Sequence, residues 1–244
     1  MDETPGIEPV TATAPGKVTR TLSQTWADVV MVHWRADPGA VAPLLPAGTR
    51  VDTLNGSTFV SLVCLVARRS RLGGVVPAAP PFGEVNVRLY AVDGSGRRGT
   101  VFVTMEASSS VPVLTARPLL GLPYRRARIA VGRGPTAVRY ETVRRTPRGD
   151  TGIRLRARIG PPRPADPTVS FLTARWRLFT ARGHRSLSLD VAHPPWSLCT
   201  VDGLDVSGTL LQDVGVEPYG PPLHPTWSPR CPVRFGVPEP LTAA

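Results

Sequence analysis

Lysine is almost missing from this chain. Lys17 is the single lysine among 29 basic residues, and the rest are arginines. Chemistry that needs a side-chain amine beside its substrate, such as an iminium with a carbonyl, therefore has one candidate residue. Cysteine is scarce too. Cys64, Cys199 and Cys231 are odd in number and far apart, which argues against a disulfide framework or a structural zinc site and fits a reducing cytoplasm. Cys64 lies inside an apolar run and reads as a small core residue. The histidines His33, His184, His193 and His224 form no His-x-x-x-His pair, so no metal site is indicated. His33 sits between hydrophobic strand residues and reads as a satisfied core histidine. No glycine-rich loop follows a strand and opens a helix, so no nucleotide cofactor is expected. No Gly-x-Ser-x-Gly elbow exists, which leaves Asp190 and His193 without a nucleophile. No apolar run reaches the roughly 18 residues that cross a bilayer, and no secretory pattern opens the chain.

What is present is enough apolar material for a real core, 41% of residues, and a net charge of +11. The arginine excess, with 28 prolines and abundant alanine and glycine, matches the composition of a GC-rich genome. The sharper reading of the charge is a polyanionic partner. The arginines are scattered over many strands, without zinc-finger spacing, an RNA-recognition signature or a basic helix, so nucleic acid ranks below a small-molecule partner.

The chain reads as a flexible N-terminal arm over residues 1–20, then a single domain over 21–240. Residues 26–34 form a strand, and Asp37-Pro38 opens a short helix that ends near Pro46. Residues 58–67 are continuously apolar and are expected to be buried on both faces. Residues 68–81 read as a loop. Asp93-Gly94-Ser95-Gly96 turns residues 83–92 into 100–107 as a hairpin, and a short helix ends at Gly121. Residues 126–131, 136–143 and 152–159 are strands; in the last, Arg154, Arg156 and Arg158 alternate with apolar residues, a sheet with one wet face. Residues 168–173 read as a helical turn, 174–191 as a hairpin and 207–214 as a short helix. The proline-punctuated tail from Glu217 holds one edge strand near residues 233–235. Many short strands with few helices give a β-rich α+β fold, an antiparallel β-barrel or sandwich.

One strand stands out. Glu84, Asn86, Arg88 and Tyr90 occupy alternate positions of residues 83–91, with Val85, Val87, Leu89 and Ala91 between them. Alternation sends the four polar groups to one face. That face is either in water, with Glu84 and Arg88 as a surface pair of small worth, or the wall of a polar pocket.

The segments TWADVVMVHWRADPGAVAPLLPAG, FGEVNVRLY, ARPLLGLPYRRARI, FLTARWRLFT and HPPW occur in order between about Trp26 and Phe235. Together they resemble the uncharacterised family known as domain of unknown function 2071. That family is similar in fold to acetoacetate decarboxylase, so the resemblance implies a cone-shaped antiparallel β-barrel with a few short helices and a closed small-molecule pocket. Trp34-Arg35-Ala36-Asp37 and Leu45-Pro46 resemble segments of the decarboxylase, and Phe82-Gly83-Glu84 resembles its pocket-glutamate position. Its two active-site lysines would fall after Pro123, at Tyr124 and Arg125, and neither is a lysine.

The resemblance therefore implies a pocket without Schiff-base decarboxylation. Glu84, Tyr124 and Arg125 are the candidate catalytic residues: Glu84 as general acid/base, Tyr124 as a hydrogen-bond or proton donor, and Arg125 holding an anionic or polarised oxygen. Phe82, Asn86, Arg88, Arg117, His193 and Trp196 are the candidate ligand contacts. The expected partner is a small organic carbonyl or carboxylate compound, with no cofactor, metal or membrane; the sequence is compatible with a homo-oligomer. The expected chemistry is that of a lyase, isomerase or cyclase. The alternative is a non-catalytic ligand-binding or sensing protein on the same fold.

Overall fold

The computed structural model describes residues 10–11 and 21–241. All but Val10 and Thr11 of the expected N-terminal arm lies outside them; there, Trp176 Nε1 donates to the Thr11 carbonyl at 3.1 Å.

Strands come first and in close succession. β1 (Leu22–Ala36), β2 (Thr49–Val51), β3 (Thr58–Leu72), β4 (Val76–Ala79), β5 (Phe82–Asp93) and β6 (Arg98–Ala107) are followed by the short β7 (Tyr124–Arg126). β8 (Arg128–Arg133), β9 (Ala137–Thr146) and β10 (Gly149–Pro162) make a meander. β11 (Arg177–Arg182), β12 (Arg185–Ala192), β13 (Cys199–Gly208), β14 (Tyr219–Phe235) and β15 (Glu239–Pro240) complete the sheet. The helices are brief: α1 (Pro38–Val41), α2 (Ser110–Leu114), α3 (Ala116–Leu120), α4 (Pro167–Thr173) and α5 (Leu210–Asp213). Among the described residues none is long and apolar enough to cross a membrane.

The order β12-β11-β6-β5-β3-β1-β14 closes on itself, because β14 pairs with β1 along most of its length and with β12 at its end. Phe235 is the seam: it faces Leu22 on one side and Val191 on the other. The result is a ring of strands. Pairing within it is antiparallel except where β6 runs parallel to β11; β7 also lies parallel beside β6. β13, β10, β9 and β8 continue from β14.

β5 is buried along its whole length. Val85, Val87 and Leu89 pack with Val60, Leu62 and Cys64 of β3 and with Tyr140 and Leu155 of β9 and β10, in a core outside the ring. On β10, Ile153, Leu155 and Ala157 are buried while Arg154, Arg156 and Arg158 are exposed, the one-sided pattern that their alternation demands.

Three stretches depart from the expectation. Residues 68–81 are largely strand: β3 runs on to Leu72 and turns through Gly73-Gly74 into β4. β13 had no counterpart in the sequence reading. β14 holds five prolines, Pro221, Pro222, Pro225, Pro229 and Pro232, yet spans from Tyr219 to Phe235. Proline cannot donate to a ladder and is tolerated on free edges and at bulges. β14 meets β13 only at Thr226 and Trp227, so Pro229 and Pro232 have an open side, and the register slips around His33 where Pro221, Pro222 and Pro225 fall.

Candidate functional site

Inside the ring the polar row of β5 is sealed from water: Glu84 is 2% exposed, Asn86 1% and Arg88 6%. The row does not serve a single site. Its two ends have different surroundings.

At one end, Glu84 faces a cavity of about 400 Å3. Asn86 Nδ2 donates to Glu84 Oε1 at 2.6 Å, and the Tyr124 hydroxyl donates to Oε2 at 3.3 Å. Tyr124 reaches Glu84 because β7 lies beside β6, with Tyr124 opposite Met105 and Glu84 opposite Ala107. Burial pushes the Glu84 carboxyl up to about 7, against the opposing pull of the Asn86 and Tyr124 hydrogen bonds. Burial, reinforced by Glu84, holds the Tyr124 phenol well above its ordinary range. Tyr124 therefore keeps its proton as a donor, and Glu84 is the group that changes charge near neutrality.

The rest of the cavity wall is mainly apolar. Phe82, Phe102, Met105, Leu122, Leu178 and Leu189 contribute, and α2 and α3 form one side. Gly121 ends α3 at φ 71°, and a Cβ there would come within 2.1 Å of the Ala181 carbonyl, so the helix can sit this close to β11 only with glycine. Trp26 closes another side; it stacks on Trp196 with ring centroids 6.2 Å apart and tilts against Phe235 at 6.1 Å. Sequence reasoning missed Gln24 and Ser70. Gln24 Oε1 accepts from Trp26 Nε1 at 2.9 Å, and its amide donates to Ser70 Oγ at 3.2 Å. The sequence reading begins this strand at Trp26, whereas β1 begins at Leu22; the spacing of Gln24 and Trp26, two apart, is the available signal.

At the other end of the row, Arg88 turns away from the cavity. Its Nη2 donates to the Leu172 carbonyl at 2.7 Å, and the Tyr90 hydroxyl donates to the same oxygen at 3.1 Å. That carbonyl lies at the C-terminal end of α4, where helix carbonyls lack intrahelical donors. Phe171 of α4 packs on Phe59 and Tyr90, and Arg175 lies over the rings of Phe171 and Tyr90. Asp52 anchors this corner, accepting from Arg98 and Arg175 at 2.5 Å each. α4 thus plugs the ring, and Arg88 holds the plug. His33, bonded to Ser61 at 2.6 Å, belongs to the same corner; burial and the Arg88 charge keep its pKa well below the ordinary imidazole value.

The expected site residues therefore divide. Glu84, Tyr124 and Phe82 line the cavity, and Asn86 orients Glu84. Trp196 and His193 stand behind the wall, in a stack where His193 lies 4.4 Å from Trp176 and 4.9 Å from Trp196. Burial lowers the His193 pKa to about 4, so it is a neutral ring whose Nδ1 donates to the Pro194 carbonyl. Arg88, Arg117 and Arg125 are not brought to the cavity. Arg125 follows Tyr124 on a strand and so points to the opposite face, opposite Glu106, a buried acid tied to Arg144. Arg117 is on the exposed side of α3.

The chain is similar to known proteins in sequence and in fold. The profile of a family described as an uncharacterized conserved protein, domain of unknown function 2071, matches residues 23–232. The uncharacterized protein YqjF of Bacillus subtilis (strain 168) is 32% identical over 181 residues, covering 72% of this chain and 74% of its own. Among solved structures, an acetoacetate decarboxylase-like enzyme from Sphingomonas wittichii RW1 superposes with a TM-score of 0.66 at 17% identity, over 93% of this chain and 95% of that one. The enduracididine biosynthesis enzyme MppR, complexed with pyruvate, gives 0.68 at 15% identity over 94% and 93%. The acetoacetate decarboxylase of Legionella pneumophila gives 0.67 at 10% identity over 94% and 89%.

Proposed function

The chain belongs to the domain of unknown function 2071 family, on an acetoacetate decarboxylase-like fold, and from that premise we propose that it is a cofactor-independent acid–base enzyme acting on a carbonyl compound held in the Glu84 cavity. The observation that carries this reading is the Glu84 carboxyl itself: enclosed, facing the cavity, oriented by Asn86, beside a phenol, with a pKa of about 7. A general base is most effective when its pKa lies near the working pH. A carbonyl ligand is supported by the fold neighbour MppR, which is described with pyruvate bound.

In this reading Glu84 removes the proton from the carbon beside the ligand carbonyl. The Tyr124 hydroxyl swings from Glu84 Oε2 to the ligand oxygen and stabilises the enolate that forms. Glu84, now protonated, returns the proton to another carbon, giving an isomerase, or to a departing group, giving a lyase. Among the described residues an iminium route has no amine to use, since none of them is a lysine and an arginine side chain does not lose its proton; Lys17 lies outside them.

The decisive measurement is exchange of carbonyl-adjacent protons with deuterated solvent, followed by NMR on compounds that bind. Wild-type protein should wash deuterium into a bound ligand, and Glu84→Gln should bind it without exchange. The second reading, a ligand-binding or sensing protein, is favoured by the largely apolar wall around the one carboxyl. Tight binding with no exchange in either protein would select it and remove the enzyme.

A further inference from the structure

We infer that the Glu84 cavity takes an uncharged, mainly apolar molecule with one oxygen function at its end, and rejects small anionic acids. The inference rests on the reading of this cavity as the ligand site, and it concerns what that ligand is.

The first support is what the wall leaves out. The chain has 29 basic residues, yet among the described residues no arginine, lysine or histidine lines the cavity. The nearest cation along the row, Arg88, is committed to the Leu172 carbonyl on the far side. Arg125 points out of the ring. A carboxylate entering here would meet Glu84 and hydroxyl- or amide-bearing side chains that already have partners: Gln24 and Ser70 bond each other, Thr21 donates to the Phe235 and Gly236 carbonyls, Thr115 to the Val111 carbonyl and Tyr124 to Glu84. Among the described residues it would find no opposite charge to replace its lost water, which is among the costliest burials in a protein.

The second support is size and lining. About 400 Å3 is within the range that encloses a whole organic ligand rather than a fragment of a few atoms. The wall is mostly apolar, with Glu84 and Tyr124 together at one place and Thr21, Gln24, Ser70 and Thr115 already bonded to protein partners. Such a wall rewards methylene groups, and one carboxyl with one phenol suits a single carbonyl or hydroxyl oxygen. The way in is apolar too: Leu72 and Leu119 are in the wall and are still 52% and 62% exposed, so they lie at its mouth.

The test is a binding series read by thermal shift and by tryptophan fluorescence, the Trp26 share taken as the difference from Trp26→Phe. It uses acetone, methyl propyl ketone and methyl hexyl ketone, with pyruvate, octanoate and octylamine as charged counterparts. The expected result is roughly fourfold tighter binding per added methylene in the ketones, the gain set by burying each group, and no saturable binding of pyruvate. Octanoate should bind at least tenfold more weakly than the ketone of like length at pH 8. Ala116→Phe, which fills the wall from α3, should lose the long ketone and keep its circular dichroism spectrum. If that variant does not fold, the ligand series in wild-type protein decides alone. Pyruvate or octanoate binding as tightly as methyl hexyl ketone, octylamine binding more tightly, or no gain with tail length would each overturn the inference. None of these results touches the deuterium exchange that tests Glu84, so the two proposals fail separately.

Discussion

Tyr124 sets its hydroxyl 3.3 Å from Glu84 Oε2 across 40 residues of sequence. The pair exists because a three-residue strand, β7, docks in parallel beside β6. Glu84 is thereby held between an amide that cannot titrate and a phenol that keeps its proton.

Tyr124→Phe removes one of the two hydrogen bonds that lower the Glu84 pKa. The carboxyl should then titrate about one pH unit higher. The alkaline movement is read from the pH profile of deuterium exchange, or by NMR of a labelled Glu84. An unchanged profile would mean that the phenol does not touch the carboxylate in solution.

Glu84 also predicts a pH dependence of stability. Its carboxyl keeps its proton up to about 7 when folded, whereas the unfolded chain releases it near 4.5. Between those values the unfolded state binds fewer protons at this site, so the Glu84 contribution to stability falls as pH rises through this window and then levels, while the buried neutral His33 and His193 act in the opposite sense below 6.5. The loss amounts to roughly 3 kcal/mol. Glu84→Gln should gain on wild type as pH rises from 5 to 8 and be the more stable protein at pH 8, by chemical denaturation. A stability difference between the two proteins that stays constant over this range would contradict the buried carboxyl.

Asp52 lies between Arg98 and Arg175 with its carboxylate fully buried. Asp52→Ala leaves guanidinium groups in the interior without that counter-ion, and the expected loss is about 4 kcal/mol. Arg88→Met removes a charged donor from the Leu172 carbonyl and should cost about 2 kcal/mol. Because Arg88 faces α4 and not the cavity, ketone affinity in the folded Arg88→Met protein should stay within about twofold of wild type, inside the scatter expected of a site it does not touch. A selective loss of affinity would return Arg88 to the ligand.

Gly121→Ala drives a methyl group into the Ala181 carbonyl at a residue with φ 71°. The substitution should cost more than 1 kcal/mol and move α3, so thermal stability and ketone affinity fall together. A variant as stable as wild type would mean that α3 is free to shift.

How far the sequence carried this picture depended on whether alternation was visible. The polar row from Glu84 to Arg88 announced a face, and the resemblance correctly turned it inward. Alternation could not tell that the row crosses two environments, because that depends on α4 entering from far along the chain to occupy one end. It did contain the fate of Arg125: residues next to each other on a strand point apart, so Tyr124 and Arg125 could not both face Glu84. The analogy with two adjacent lysines hid this. The sequence yields only the end of β14, the edge strand near residues 233–235, because proline is a sound breaker signal in general. Which prolines face an unpaired edge is settled only by the neighbours of the strand.

Phe235 joins Leu22 to Val191, and this has a consequence for biosynthesis. On the ribosome β1 leaves first and must wait for β14, the last long strand, before both of its edges are covered. Until then β1 and β12 each present open backbone, the kind of edge that recruits other chains. The cavity is also unfinished, since Phe235 is part of its wall. A nascent chain halted before β14 would thus be both sticky and unable to hold its ligand, and ligand-dependent recovery should begin only once β14 has emerged.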